Sequence, residues 1–201
     1  MMRHSILHVA AAALCLAASS TYAAWHVDSS ESTLSFVTAK AGAPGVGGIE
    51  EVQTFKQVGG SVGDDGKLRF NVDLASVETN IPLRNDRLKD LLFKVADYPQ
   101  AVFAGAVDVH RFDALRVGAN ADIELTGQLT IAGQSKPLSA NLRVVKLASN
   151  ALLVGTRTPI VVNLKDYGLQ DGVEALRSLM NLNVLTSSAP GSFSVVLRSG
   201  N

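Results

Sequence analysis

Three things are scarce in this 201-residue sequence: cysteine, aromatic side chains and an excess of charge of either sign. The one cysteine, Cys15, sits in an N-terminal stretch expected to be removed. Residues 24–201 then have no thiol, which excludes disulfides, thiolate metal sites and a cysteine nucleophile together. The 18 basic and 18 acidic residues balance, so the basic stripe of a nucleic-acid partner is missing. Aromatics make up 5% of the chain, and its end, Arg198-Ser199-Gly200-Asn201, carries none. Outer-membrane barrels have aromatic girdles at both interfaces, so this scarcity weighs against that class. Beyond the N-terminal stretch there is no apolar run of membrane-spanning length.

The N-terminal stretch has three parts: a basic start at Arg3 and His4, an apolar core over residues 9–18, and a small-residue exit through Thr21 and Ala23. That layout predicts a secretory signal peptide over residues 1–23, cut after Ala23, and hence a protein of the periplasm. Its apolar core is about half the length a spanning helix needs. A lipid anchor on Cys15 would want a small residue before it, and Leu14 stands there. Residues 24–201 are expected to form one domain, large enough to bury a core.

Leu68, Phe70, Val72 and Leu74 alternate with Lys67, Arg69, Asn71 and Asp73. A strict period of two means a strand with one apolar and one wet face. Asp64-Asp65-Gly66 reads as the turn before it, and residues 52–62 as its hairpin partner. The alternation returns at Leu34 and Phe36, at Ile123 and Leu125, at Leu129 and Ile131, at Leu138, Ala140, Leu142 and Val144, and at Phe193, Val195 and Leu197. Ala132-Gly133-Gln134 and Ala148-Ser149-Asn150 look like hairpin turns. Many short strands between turn signals predict an all-β antiparallel sandwich or barrel.

Two segments depart from this rhythm. Leu88, Leu91, Leu92 and Val95 have helical spacing, with Asn85 and Asp86 as candidate caps and Pro99 closing the far end. Val173, Leu176, Leu179 and Met180 form a second apolar stripe. Helical stripes of this kind pack on a sheet or cover a barrel end. Residues 42–48, rich in Gly and Ala, lack the Gly-Lys-Ser/Thr ending of a phosphate-binding loop and read as a loop at the barrel mouth.

No catalytic constellation emerges. His26 and His110 each have an aspartate two residues away, Asp28 and Asp108, which are too few ligands for a catalytic metal. No serine lies in a Gly-x-Ser-x-Gly elbow. Asp64-Asp65 lacks the spaced oxygen series of a calcium loop. The expectation is a protein that is not an enzyme and has neither cofactor nor metal.

The run GQLTIAGQSKPL starting at Gly127 resembles the most recognisable motif of the YceI family. Gly127, Leu129, Thr130, Gly133, Ser135, Lys136 and Pro137 fit its strand-turn-strand pattern. Trp25-His26-Val27-Asp28 with Ser35-Phe36 is similar to the family's opening strand, and Gly59-Gly60-Ser61-Val62 to its first hairpin. Ser76-Val77-Glu78-Thr79-Asn80, the stretch from Arg84 to Phe93, then Tyr98-Pro99 and Phe103 look like its central helix and the strand beyond. Asn85 stands where the family commonly has Asp, and Arg87 where it commonly has His. Thr156-Arg157 and Asp166-Tyr167-Gly168-Leu169 resemble a later segment, and residues 171–188 form a longer, more helical insert. The likeness covers nearly all of residues 24–201.

The resemblance implies a lipocalin-like antiparallel β-barrel of about eight strands with one or two short helices, holding a polyisoprenoid, isoprenoid quinone or fatty-chain lipid in its lumen. An eight-stranded barrel has room for its own side chains or one small ligand. The candidates for lining such a lumen are Phe36, Leu68, Phe70, Val72, Leu74, Leu88, Leu91, Leu92, Phe103, Leu129 and Ile131. Ala104 and Ala106, read as inward positions, would leave space there. Alternation alone leaves open a barrel filled by its own core, acting as a structural or interaction module. A transient membrane or membrane-protein contact, and a dimer, also stay open.

Overall fold

The period-two segments all form strands, and they pair into a closed ring. The computed structural model describes residues 23–45 and 47–199; residues 1–22 of the expected leader lie outside them. The strands are β1 (Ala23–Ala41), β2 (Ile49–Phe55), β3 (Val58–Gly63), β4 (Lys67–Asp73), β5 (Val77–Glu78), β6 (Gln100–Ala106), β7 (Asn120–Ile131), β8 (Gln134–Ala148), β9 (Ala151–Thr156), β10 (Ile160–Asn163), β11 (Val184–Leu185) and β12 (Ser188–Ser199). Eight of them, in the order β1-β12-β9-β8-β7-β6-β4-β3, close back on β1, every pairing antiparallel.

β1 is long enough to serve two roles. Its first residues pair with β3 and its later ones, from Leu34 to Lys40, pair with β2, while β12 runs along its other side with a register shift between Asp28 and Thr33. The expected hairpin over residues 52–62 is therefore corrected. Only Val58–Gly63 partners β4, with Val62 opposite Leu68; Ile49–Phe55 turns away to β1. The 123–125 and 129–131 segments, read separately, form one unbroken strand, because Thr126, Gly127 and Gln128 keep the register with Ser139, Leu138 and Pro137.

Outward positions of β7 are polar: Asn120, Asp122, Glu124 and Gln128. Inward ones are Ile123, Leu125 and Leu129, which pack on the core. The apolar face is thus the lumen face, the reverse of a membrane-spanning barrel. Asp122 pairs on the outer wall with Arg143 and Arg157.

The β7–β8 turn is Ala132-Gly133, with φ of +47° and +74°. Two consecutive positive φ angles match the twist of tight hairpins. Thr130 and Ser135 hydroxyls bond across it at 2.6 Å. At Asp64-Asp65-Gly66, Gly66 has φ +76° and the Asp65 carboxylate accepts from the backbone N–H and the ammonium of Lys67.

Helices cover the end at which β4 and β7 finish. α1 (Pro82–Arg87) runs on as a wider turn through Phe93 and stops at Lys94, φ +51°. The expected caps Asn85 and Asp86 lie inside the helix instead. Pro82 starts it, and the buried Asn85 Oδ1 accepts from the backbone and hydroxyl of Thr79. Val95 falls beyond the stop. α2 (Gln170–Leu179) buries Val173 and Leu176, while Leu179 is exposed. Gly172 lets the helices touch: a Cβ there would lie 2.7 Å from the Leu91 carbonyl oxygen.

Candidate functional site

The barrel encloses a cavity of about 350 Å³, lined by every barrel strand and by both helices. Packed protein interiors hold few voids larger than a water molecule, whereas small-molecule sites run from about 300 to 1,000 Å³. Ten of the eleven expected lining residues are found there. Phe36 comes from β1, Leu68, Phe70 and Val72 from β4, and Leu74 from the turn after it. Phe103 comes from β6, Leu129 and Ile131 from β7, and Leu88 and Leu92 from the helical segment after α1.

Leu91 is the exception. It is 37% exposed and absent from the cavity wall, because the wider turn through residues 88–93 carries its side chain outward while Leu92 and Phe93 turn in. Ala104 and Ala106 are corrected too. They are exposed on the outside of β6, and the inward positions between and beyond them are Phe103, Gly105 and Val107. Glycine makes room for the Phe103 ring on this part of the wall. Gly105 and Gly127 are paired, and the Phe103 ring lies over both: a Cβ would meet it at 3.2 Å from Gly105 and 2.5 Å from Gly127.

Sequence reasoning missed two sets of residues. The first is aromatic: Phe55 stacks on Phe36 at 5.2 Å and meets Phe93 at 5.8 Å, and Phe193 stacks on Phe70 at 5.8 Å. Phe193 belongs to a strand that the sequence marks only by its alternation, and the closure of β12 onto β1 and β9 turns it inward. The second is polar. Near the helices the lumen face of β1 passes from Phe36 to Thr38 and Lys40, and that of β2 from Phe55 to Gln53 and Glu51; Arg84 and Arg87 add to the same wall. The Glu51 carboxylate takes Lys40 at 2.7 Å and Arg84 at 2.6 Å. The Lys40 ammonium first, and the Arg84 guanidinium with it, hold Glu51 below the ordinary carboxylate range.

At the opposite end, Val109 and Phe112 close the cavity from the segment that links β6 to β7. Trp25 lines that floor too, with the Lys146 ammonium 5.4 Å from its ring centroid. Asp108 caps that segment's short turn by accepting from His110 N–H, and Asp28 accepts from Ser30 and Arg198. Both aspartates are thus engaged in local structure. Among the described residues, no three His, Cys, Asp or Glu side chains converge as metal ligands.

A closed eight-stranded antiparallel barrel with an apolar lumen and a helical cover belongs to the lipocalin type of architecture, in which the site is the space inside the wall. The model of the YceI-like domain matches residues 25–187, and the chain belongs to that family. It is similar to a solved polyisoprenoid binding domain from Saccharophagus degradans, described as implicated in plant cell wall breakdown. The two share 29% identity over 89% of this chain and 100% of that one, with a TM-score of 0.83. The fold is shared with BcnA of Burkholderia cenocepacia, at 19% identity, TM-score 0.62, over 85% and 98% of the two chains. It is also shared with the YCEI protein of Campylobacter jejuni, at 17% identity, TM-score 0.51, over 74% and 85%. No curated protein matches the chain.

Proposed function

We propose that this protein is a non-enzymatic carrier that holds one long apolar chain, a polyisoprenoid, an isoprenoid quinone or a fatty-chain lipid, inside its barrel. We further propose that it is exported to the periplasm after cleavage behind Ala23. The observation that carries the first reading is the 350 Å³ lumen itself, whose wall is almost wholly hydrocarbon. Water in such a space has few hydrogen-bond partners, so an apolar chain replaces it favourably at roughly 25 cal/mol per Å² of apolar surface removed from water. The 29%-identical neighbour described as polyisoprenoid binding supports the same class of ligand.

The test is a blocked lumen. Val72 faces the cavity from β4, so Val72→Phe fills part of it. A carrier loses uptake of a fluorescent isoprenoid analogue while its melting temperature changes little. A packed structural barrel instead shows no uptake by the wild type, and the larger ring costs about 1–3 kcal/mol of stability. Intact mass of the exported protein checks the leader: the expected chain starts at Ala24.

A further inference from the structure

The polar wall at the helical end is unbalanced in a way that packing does not require. Lys40, Arg84 and Arg87 line it with one carboxylate, Glu51, among them. Glu51 is shared by Lys40 and the Arg84 NH1 group, and Arg84 NH2 donates to the Thr79 carbonyl at 2.7 Å. Arg84 Nε remains buried with no partner among the described residues. Arg87 has neither a hydrogen-bond nor an ion-pair partner among them. Gln53 is 3% exposed, and its Oε1 also has none.

Buried polar groups are nearly always hydrogen-bonded, and leaving one unmatched costs its desolvation. Here the unmatched groups sit where an apolar lumen ends, and surplus positive charge beside low-dielectric walls attracts anions. Guanidinium groups form their strongest hydrogen bonds with carboxylate and phosphate oxygens. A neutral head would leave the cationic excess uncompensated. We propose that this wall binds the head of a single-chain amphiphile, and that the head is a compact oxyanion, a carboxylate or a phosphate monoester, taken by Arg87 and Arg84 Nε while the chain runs down the barrel. Gln53 Oε1 accepts from a hydroxyl, which a phosphate monoester carries in part at neutral pH. The proposal rests on the lumen-binding reading above and deepens it.

Binding of matched pairs to the delipidated full-length protein tests it: polyprenyl phosphate against the same polyprenol, and hexadecanoate against hexadecanol. At least one anion binds about tenfold or more tightly than its alcohol, as expected for charge-assisted hydrogen bonds. That preference weakens with salt, is lost in Arg87→Gln and is kept in Arg87→Lys, with unchanged melting temperatures showing that both variants fold. The stronger anion tells phosphate from carboxylate. If alcohols bind as tightly as their anions, or Arg87→Gln keeps the preference, the oxyanion head is wrong while the lumen reading stands. If none of the four binds, both fall.

Discussion

The barrel's two ends are built from opposite chemistry. At the floor, Val109, Phe112 and Trp25 finish the lumen with hydrocarbon and aromatic surface, and Lys146 is committed to the Trp25 ring. At the helical end the cover is two short helices joined through Gly172, and the wall beneath them carries Lys40, Glu51, Gln53, Arg84 and Arg87. A floor of that kind seals. An end that leaves Arg84 Nε and Gln53 Oε1 without partners among the described residues is where opening is expected, since elements that open are drawn from the less stable parts of a fold. The lumen therefore has a direction, apolar from the floor up to a charged mouth.

Substitutions in the wall and in the cover should therefore behave differently. The largest effect is expected at Gly127, in the wall, where a side chain would overlap the Ala104 carbonyl oxygen and the Phe103 ring. Gly127→Val should lose about 3 kcal/mol in denaturant unfolding, near the upper end for overpacking. Next is Gly133→Val. At φ +74° a β-branched residue is strained, and its Cβ would also press on Tyr98 at 3.3 Å, so the loss should be about 1–3 kcal/mol. An unchanged melting temperature would contradict the assigned turn.

Gly172→Ala, in the cover, is expected to cost less. Crowding against the Leu91 and Leu92 backbone opposes folding, but alanine returns about 1 kcal/mol of helix propensity. The informative readout is lipid exchange, which should quicken as the helices part while global stability moves little. Slower exchange, or a loss as large as at Gly127, would erase the distinction between wall and cover.

The smallest effect is on pH dependence at the cover's edge. The Lys56 ammonium first, then the Asn85 amide and the Asn80 N–H, lower Glu78 from 4.5 to about 2. A carboxylate with a depressed folded pKa stabilises above its unfolded value and loses that stabilisation as pH falls through the folded one. The melting-temperature advantage of wild type over Glu78→Gln should therefore be complete at neutral pH and fade between pH 4.5 and about 2. An advantage that persists unchanged at the acid end would refute the assigned ion pair.

The wall was far more legible in the sequence than the cover. Leu68 through Leu74 and Leu138 through Val144 show their faces by period two alone, and the structure keeps both faces as read. At Ala104 and Ala106 small residues carry no polarity signal, so a slip of one position leaves no trace in the sequence. Leu91 fitted helical spacing, but the wider turn after Arg87 breaks the 3.6-residue period that placed it inside. The charged mouth was invisible for a different reason. Lys40, Glu51 and Arg84 are apart in the chain, and each alone reads as an ordinary surface residue until the β1–β2 register sets Lys40 beside Glu51 and α1 brings Arg84 onto the same carboxylate.

The most direct test of a lumen that carries lipid is native mass spectrometry of the protein purified from its own host, followed by organic extraction. A lipid-filled lumen gives a population heavier than the polypeptide, converted to bare protein by extraction, with a single-chain amphiphile in the solvent phase that rebinds to the stripped protein. Bare polypeptide from the start, together with no uptake of an isoprenoid or fatty chain by the stripped protein, would contradict it.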